Sequence, residues 1–107
     1  MKIKTNELNG DALDWAVARC EGIKLNEGNT LSNDCDVYAP STDWAQGGQI
    51  IEREKMRVAY NFDEHIWEAG WDCHVKGWGD TPLIAAMRAY VASKLGDEIQ
   101  FLENEEV

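Results

Sequence analysis

The chain has 107 residues, 44% apolar and 28% charged, enough for a single modest core, so it is read as one domain over 1–107. Its formal charge of -10 opposes binding to a phosphate backbone, because that affinity comes from Lys and Arg displacing counterions, and no apolar run approaches the ~20 residues of a membrane span; nucleic acid and membrane are excluded as partners. Cys20, Cys35 and Cys73 are odd in number and far apart, which fits reduced thiols, and the basic residues at the start are not followed by the apolar stretch of a secretory signal, so a cytoplasmic setting is expected.

In chain order, Asn9 can cap a helix with Asp11 in its first turn; Ala12, Leu13, Ala16, Val17 and Cys20 recur at helical spacing until Gly22. Trp15 lies off that stripe and either borders the core or faces a partner. Residues 26–36 are dense in Asn, Asp, Gly and Ser, which predicts a loop. After Pro40, either Ser41 or Thr42 is suited to cap a turn through Asp43, Trp44 and Ala45, which Gly47-Gly48 is expected to end; the pattern leaves open whether 49–55 continues as helix.

Met56, Val58, Tyr60 and Phe62 alternate with polar or small residues, the period of a half-buried strand, and a second strand is expected over 66–71. Gly77, Gly79 and Asp80 read as a turn. Thr81 then caps a helix with Pro82 at its first position; Ile84, Met87, Val91 and Leu95 form its stripe, and Gly96 ends it. Ile99 and Phe101 suggest an edge strand within an acidic tail over 97–107, which holds five acids and no base. The expected fold is α+β, a small antiparallel sheet packed against two main helices.

The stretch from Ser41 to Glu52 stands out chemically. It sets hydroxyls, a carboxylate, an indole and an amide before two glycines: Asp43 and Gln46 are candidates to hydrogen-bond a polar ligand, Trp44 to stack on a ring, and Gly47-Gly48 to allow close approach. The bland alternative is a capped turn with a buried Trp. A second candidate is the start of the last helix, where free N–H groups, Thr81 and Pro82 offer an anion site and Arg88 a neutralising charge; the alternative there is a well-made cap and an ion pair. Among the five tryptophans, Trp71 and Trp78 are flanked by glycine, so at least one is a candidate stacking platform or protein hot spot. Asp63-Glu64-His65 and Asp72-Cys73-His74 lack the paired spacing of a zinc site, and no nucleophile–base pair stands out; no metal, cofactor or catalytic set is assigned.

Two blocks, Tyr38-Ala39-Pro40-Ser41-Thr42-Asp43-Trp44-Ala45-Gln46-Gly47-Gly48-Gln49-Ile50-Ile51-Glu52-Arg53-Glu54 and the run from Thr81 to Glu98, together with 12–18, resemble the NinX-like small proteins of tailed phages and prophages. The chain differs from that pattern before Thr81, where a second proline is common, and in its short segment between Ile23 and Tyr38. The resemblance implies a phage origin and action in the host cytoplasm, without implying a reaction. Joined to the residue chemistry, it leads to the expectation of a non-enzymatic homo-oligomer that sequesters a small nucleotide-derived ligand, a cyclic signal of host defence being the leading class. The rivals are an acidic inhibitor of a host defence or nucleic-acid-binding protein, and a nucleotide hydrolase with Asp43 and Glu52 on a metal.

Overall fold

The computed structural model describes residues 2–26, 29 and 37–100. Its elements are β1 (Lys2–Lys4), a 3₁₀ turn (Thr5–Glu7), α1 (Gly10–Glu21), α2 (Trp44–Glu54), β2 (Arg57–Asn61), β3 (Ile66–Trp71), β4 (His74–Gly79), α3 (Pro82–Leu95) and β5 (Glu98–Gln100). Strands β2-β3-β4 form one antiparallel sheet in that order, and β1 pairs with β5 in a second, giving an α+β fold of three helices and two small sheets. No helix among the described residues is long and apolar enough to cross a membrane. Cys35, Phe101, the rest of the tail and most of the predicted 26–36 loop lie outside the described residues.

Helix α3 is the axle of the molecule. Leu83, Ala85, Ala86, Met87, Ala89, Tyr90, Val91 and Ala92 are all buried, because the sheet covers one side of the helix and α1 another. Its start is as the sequence predicts: Thr81 Oγ1 accepts from Ile84 N at 3.1 Å with Pro82 at the first position. The turn expected at 77–80 is instead the end of a third strand, β4, which contains Gly77 and Gly79. These glycines serve close packing: a Cβ on Gly77 would strike Ala85 O and the Ala89 backbone, and one on Gly79 would come within 2.9 Å of Ala85 N.

Two further expectations are corrected. Helix α2 runs through Gly47-Gly48 to Glu54 and ends at Lys55 in the left-handed region, and its N-cap is Asp43 rather than Ser41 or Thr42. Helix α1 starts after Asn9 and ends on left-handed Gly22 as expected, although the Asn9 side chain makes no capping bond. Trp15 is half-buried against the core with Arg19 lying 5.4 Å from its ring centre. Strand β1 had no counterpart in the sequence reading; it aligns Ile3 with the buried Ile99.

Candidate functional site

The segment before α2 is built almost wholly from hydrogen bonds. Thr42 N and Asp43 N both donate to Ala39 O, closing a turn at Pro40. Asp43 Oδ1 accepts from Ala45 N at 2.9 Å, and its other oxygen accepts from Gln46 Nε2 at 3.1 Å. The Gln46 amide also donates to Val37 O and accepts from Ala39 N at 2.7 Å. Asp43 and Gln46, candidates for gripping a ligand, therefore spend their capacity on their own chain, forming a variant of the capping box that reaches back across the turn. Gly47 is buried, and a Cβ there would strike Pro40 O and the Leu83 side chain; the glycine packs α2 onto the Pro40 turn and α3.

Of the remaining candidates five converge, and Gly48 and Arg88 do not. Ser41, Thr42 and Trp44 line a cleft of ≈ 200 Å³ together with Thr81, Pro82, Leu83 and Ile84. Trp44 is 58% exposed, so its indole is presented to solvent at the first turn of α3. Leu83 lies in that first turn, where a helix has no internal partner for its N–H. Ser41 is buried, its N donates to Asp14 Oδ1 at 2.9 Å, and its hydroxyl has no partner at hydrogen-bonding geometry. The same hydroxyl lies close enough to Asp14 to favour the ionised carboxyl, but burial outweighs it and holds the Asp14 pKa above the usual range. The cleft is smaller than the ~300–1,000 Å³ of sites that enclose a whole small molecule.

Arg88 is not part of this cleft. Its Nε donates to Leu8 O at 2.9 Å and its Nη1 to Trp78 O at 2.7 Å, so it braces the end of the 3₁₀ turn against β4. Burial lowers its pKa, with Asp80 opposing that effect.

On the other flank of α2, a second cleft of ≈ 540 Å³ is lined in part by Glu21, Tyr38, Asp43, Gln46, Gln49 and Arg53. Arg53 grips Glu21 through both terminal nitrogens, at 2.9 and 2.7 Å, and the Tyr90 hydroxyl donates to the same carboxylate. Arg53 in turn holds the Glu21 pKa below its usual value, and burial pushes the Tyr38 hydroxyl up to about 12. Sequence reasoning missed this cluster because its members come from three helices with no local spacing to betray them.

A band of aromatic and apolar side chains leads from the β2–β3 hairpin toward Trp44. Tyr60 meets Phe62 and Trp67 edge-on at 4.9 and 5.2 Å; Trp67 pairs with Gly79, which Ile84 covers, and Ile84 lines the Trp44 cleft. Phe62 is 79% exposed and Trp78 39%, while Trp71 is half-buried with its Nε1 donating to Glu54 O at 2.8 Å. Asp43 and Glu52 stand at opposite ends of α2, nine residues and roughly 13 Å of helix apart, too far to share one ion. Among the described residues, no three His, Cys, Asp or Glu side chains gather at metal-binding distance.

The family model described as Bacteriophage P22, NinX matches residues 4–94, which takes in both clefts and every element from the 3₁₀ turn to nearly the end of α3. No curated protein matches the chain.

Proposed function

The chain belongs to the bacteriophage P22 NinX family and is a phage accessory protein; we propose that in the host cytoplasm it captures a small nucleotide-derived ligand without turning it over. The observation that carries this reading is the union in one cleft of the exposed Trp44 indole and the first turn of α3, with the buried Ser41 in its wall. Trp44 supplies a stacking face for a base. The Leu83 N–H and the helix dipole suit one anionic oxygen.

The charge balance narrows the class. Arg88 is committed elsewhere, no cation among the described residues lines the cleft, and the chain carries -10, so a triphosphate is poorly served. A cyclic phosphodiester bears one charge per phosphate and suits a site built from dipoles, which favours a cyclic signalling nucleotide of host defence. Because ≈ 200 Å³ holds a base rather than a whole nucleotide, a second copy of the chain completes the site in this reading.

The test is a thermal-shift and mass-spectrometric panel of cyclic mono- and dinucleotides against the purified protein, with size-exclusion chromatography of the best ligand complex. Capture predicts a raised Tm, intact ligand released on heating and a larger particle. Trp44→Ala is expected to weaken binding about tenfold while leaving the Tm of the free protein nearly unchanged, since the side chain is mostly exposed. No response to any nucleotide, or recovery of altered nucleotide, refutes the proposal.

A second reading, a protein inhibitor of a host defence protein, draws support from Phe62, whose ring is 79% exposed at the head of the aromatic band. Its charge argument is weaker. Among the described residues the exposed carboxylates come from α1, α2, both hairpin turns and β5, so no single element presents them.

A further inference from the structure

A larger cleft, of ≈ 700 Å³, opens between the two sheets, far in sequence from Trp44. Lys4, Asn6 and Glu98 border it from the β1–β5 side with Asp97, and Lys76 and Trp78 from β4. Its frame is well tied. Thr5 N donates to Asp97 O at 2.7 Å, and Thr5 Oγ1 donates to Gly96 O at 2.6 Å. Across the gap the Asn6 carboxamide donates to Lys76 O and accepts from Trp78 N at 3.0 Å, while Arg88 takes Trp78 O.

Two consequences follow for what fits there. The outer edge of β4 has its Lys76 and Trp78 groups already bonded by side chains, so an incoming strand cannot pair along that stretch, and recognition falls to the side chains. Those side chains are two ammonium groups, two carboxylates and a flat indole that is 39% exposed. Among the described residues none of the four charges is engaged in an ion pair, although Lys4 and Glu98 face each other as register partners. In a chain of net charge -10 this cleft is locally balanced, with both signs available at once.

We propose that this cleft is a second binding site, separate from the Trp44 cleft, for a small zwitterion carrying a flat ring, of the aromatic amino-acid class. Lys4 and Lys76 receive its carboxylate, Asp97 and Glu98 its ammonium group, and Trp78 stacks against its ring. A ligand of one sign would meet attraction and repulsion together. A ligand of both signs orients so that each end finds its partner, which makes the pairing of charges, rather than either charge, the source of selectivity.

The experiment follows the five indole N–H resonances by NMR while L-phenylalanine, 2-phenylethylamine or 3-phenylpropionate is added; the three probes share a ring and differ in carrying both charges, the positive one or the negative one. Trp78→Phe assigns the resonance of Trp78. Phenylalanine is expected to shift that resonance saturably and to bind about tenfold more tightly than either half-ligand, the worth of one charge-assisted contact. Lys76→Ala removes that advantage over the amine, Asp97→Asn removes it over the acid, and Trp44→Ala changes neither. Equal binding of all three probes, or a Trp78 resonance that phenylalanine leaves unmoved up to its solubility, overturns the proposal. Nucleotide capture at the Trp44 cleft is tested with different ligands and a different variant, so either can fail without the other.

Discussion

Helix α3 meets β4 and α2 meets the Pro40 turn by the same device, a glycine that lets backbone approach backbone, yet the two contacts are held by opposite means. At β4, Gly77 and Gly79 lie against the α3 backbone at Ala85 and Ala89 and against the Ile84 side chain, with no side-chain hydrogen bonds between them. At the Pro40 turn, Gly47 lies against Pro40 O, and the surroundings are directional: Asp43, Gln46 and the Ser41–Asp14 bond. The first contact is core and sets the architecture. The second leaves the Trp44 indole in solvent beside the first turn of α3.

The sharpest way to break this comparison is Gly77→Ala. Its methyl would collide with the α3 backbone, which cannot move without opening the core, so a loss of about 3 kcal/mol or more is expected in urea unfolding. A loss under about 1 kcal/mol would show that the sheet slides freely on the helix. Next in size is the pair at α2. Gly47→Ala is expected to cost about 2 kcal/mol, because the Pro40 carbonyl must give way. Gly48→Ala meets only the Trp44 ring at 3.6 Å and is expected to stabilise by roughly 0.5–1 kcal/mol, as alanine does inside a helix. Equal effects at the two positions would mean that the Pro40 turn is not seated as described.

The smallest effect concerns Asp14. Its folded pKa is raised above 3.8 chiefly by burial, so its contribution to stability is full below that value and is lost as pH rises through the folded pKa. Glu21 acts in the opposite sense: its lowered pKa gives stability above about 4.5 that is lost on acidification. Asp14→Asn keeps an acceptor for Ser41 N and turns a donor toward the Ser41 hydroxyl. It is expected to leave stability unchanged at acid pH and raise it at neutral pH, read from urea titrations of both proteins across that range. A variant that loses stability equally at every pH would assign the carboxylate a purely structural role.

Local rules recovered the parts of this fold that are locally encoded. Asn9 and Gly22 bracket α1, and Thr81, Pro82 and Gly96 bracket α3, because caps depend on the residue that bears them. Strand β4 was read as a turn since Gly77 and Gly79 look like turn residues; their reason is α3, which follows them in sequence and lies over them in space. Strand β1 carries no signal in three residues and takes its conformation from β5. Ser41, Thr42, Trp44, Thr81 and Pro82 line one cleft. Composition could not tell that Asp43, Gln46 and Gly47 serve the turn, nor that Arg88 faces Leu8 O, because polar side chains suited to a ligand are equally suited to nearby backbone.

The pairing of β1 with β5 gives the molecule a schedule. Lys2–Lys4 are made more than ninety residues before their partners Glu98–Gln100. The helices and the three-stranded sheet all lie between the two strands in sequence, so Ile3 stays without Ile99 until the far strand emerges. Closing this clasp therefore joins the two elements of the fold most distant in sequence, a late and completing contact.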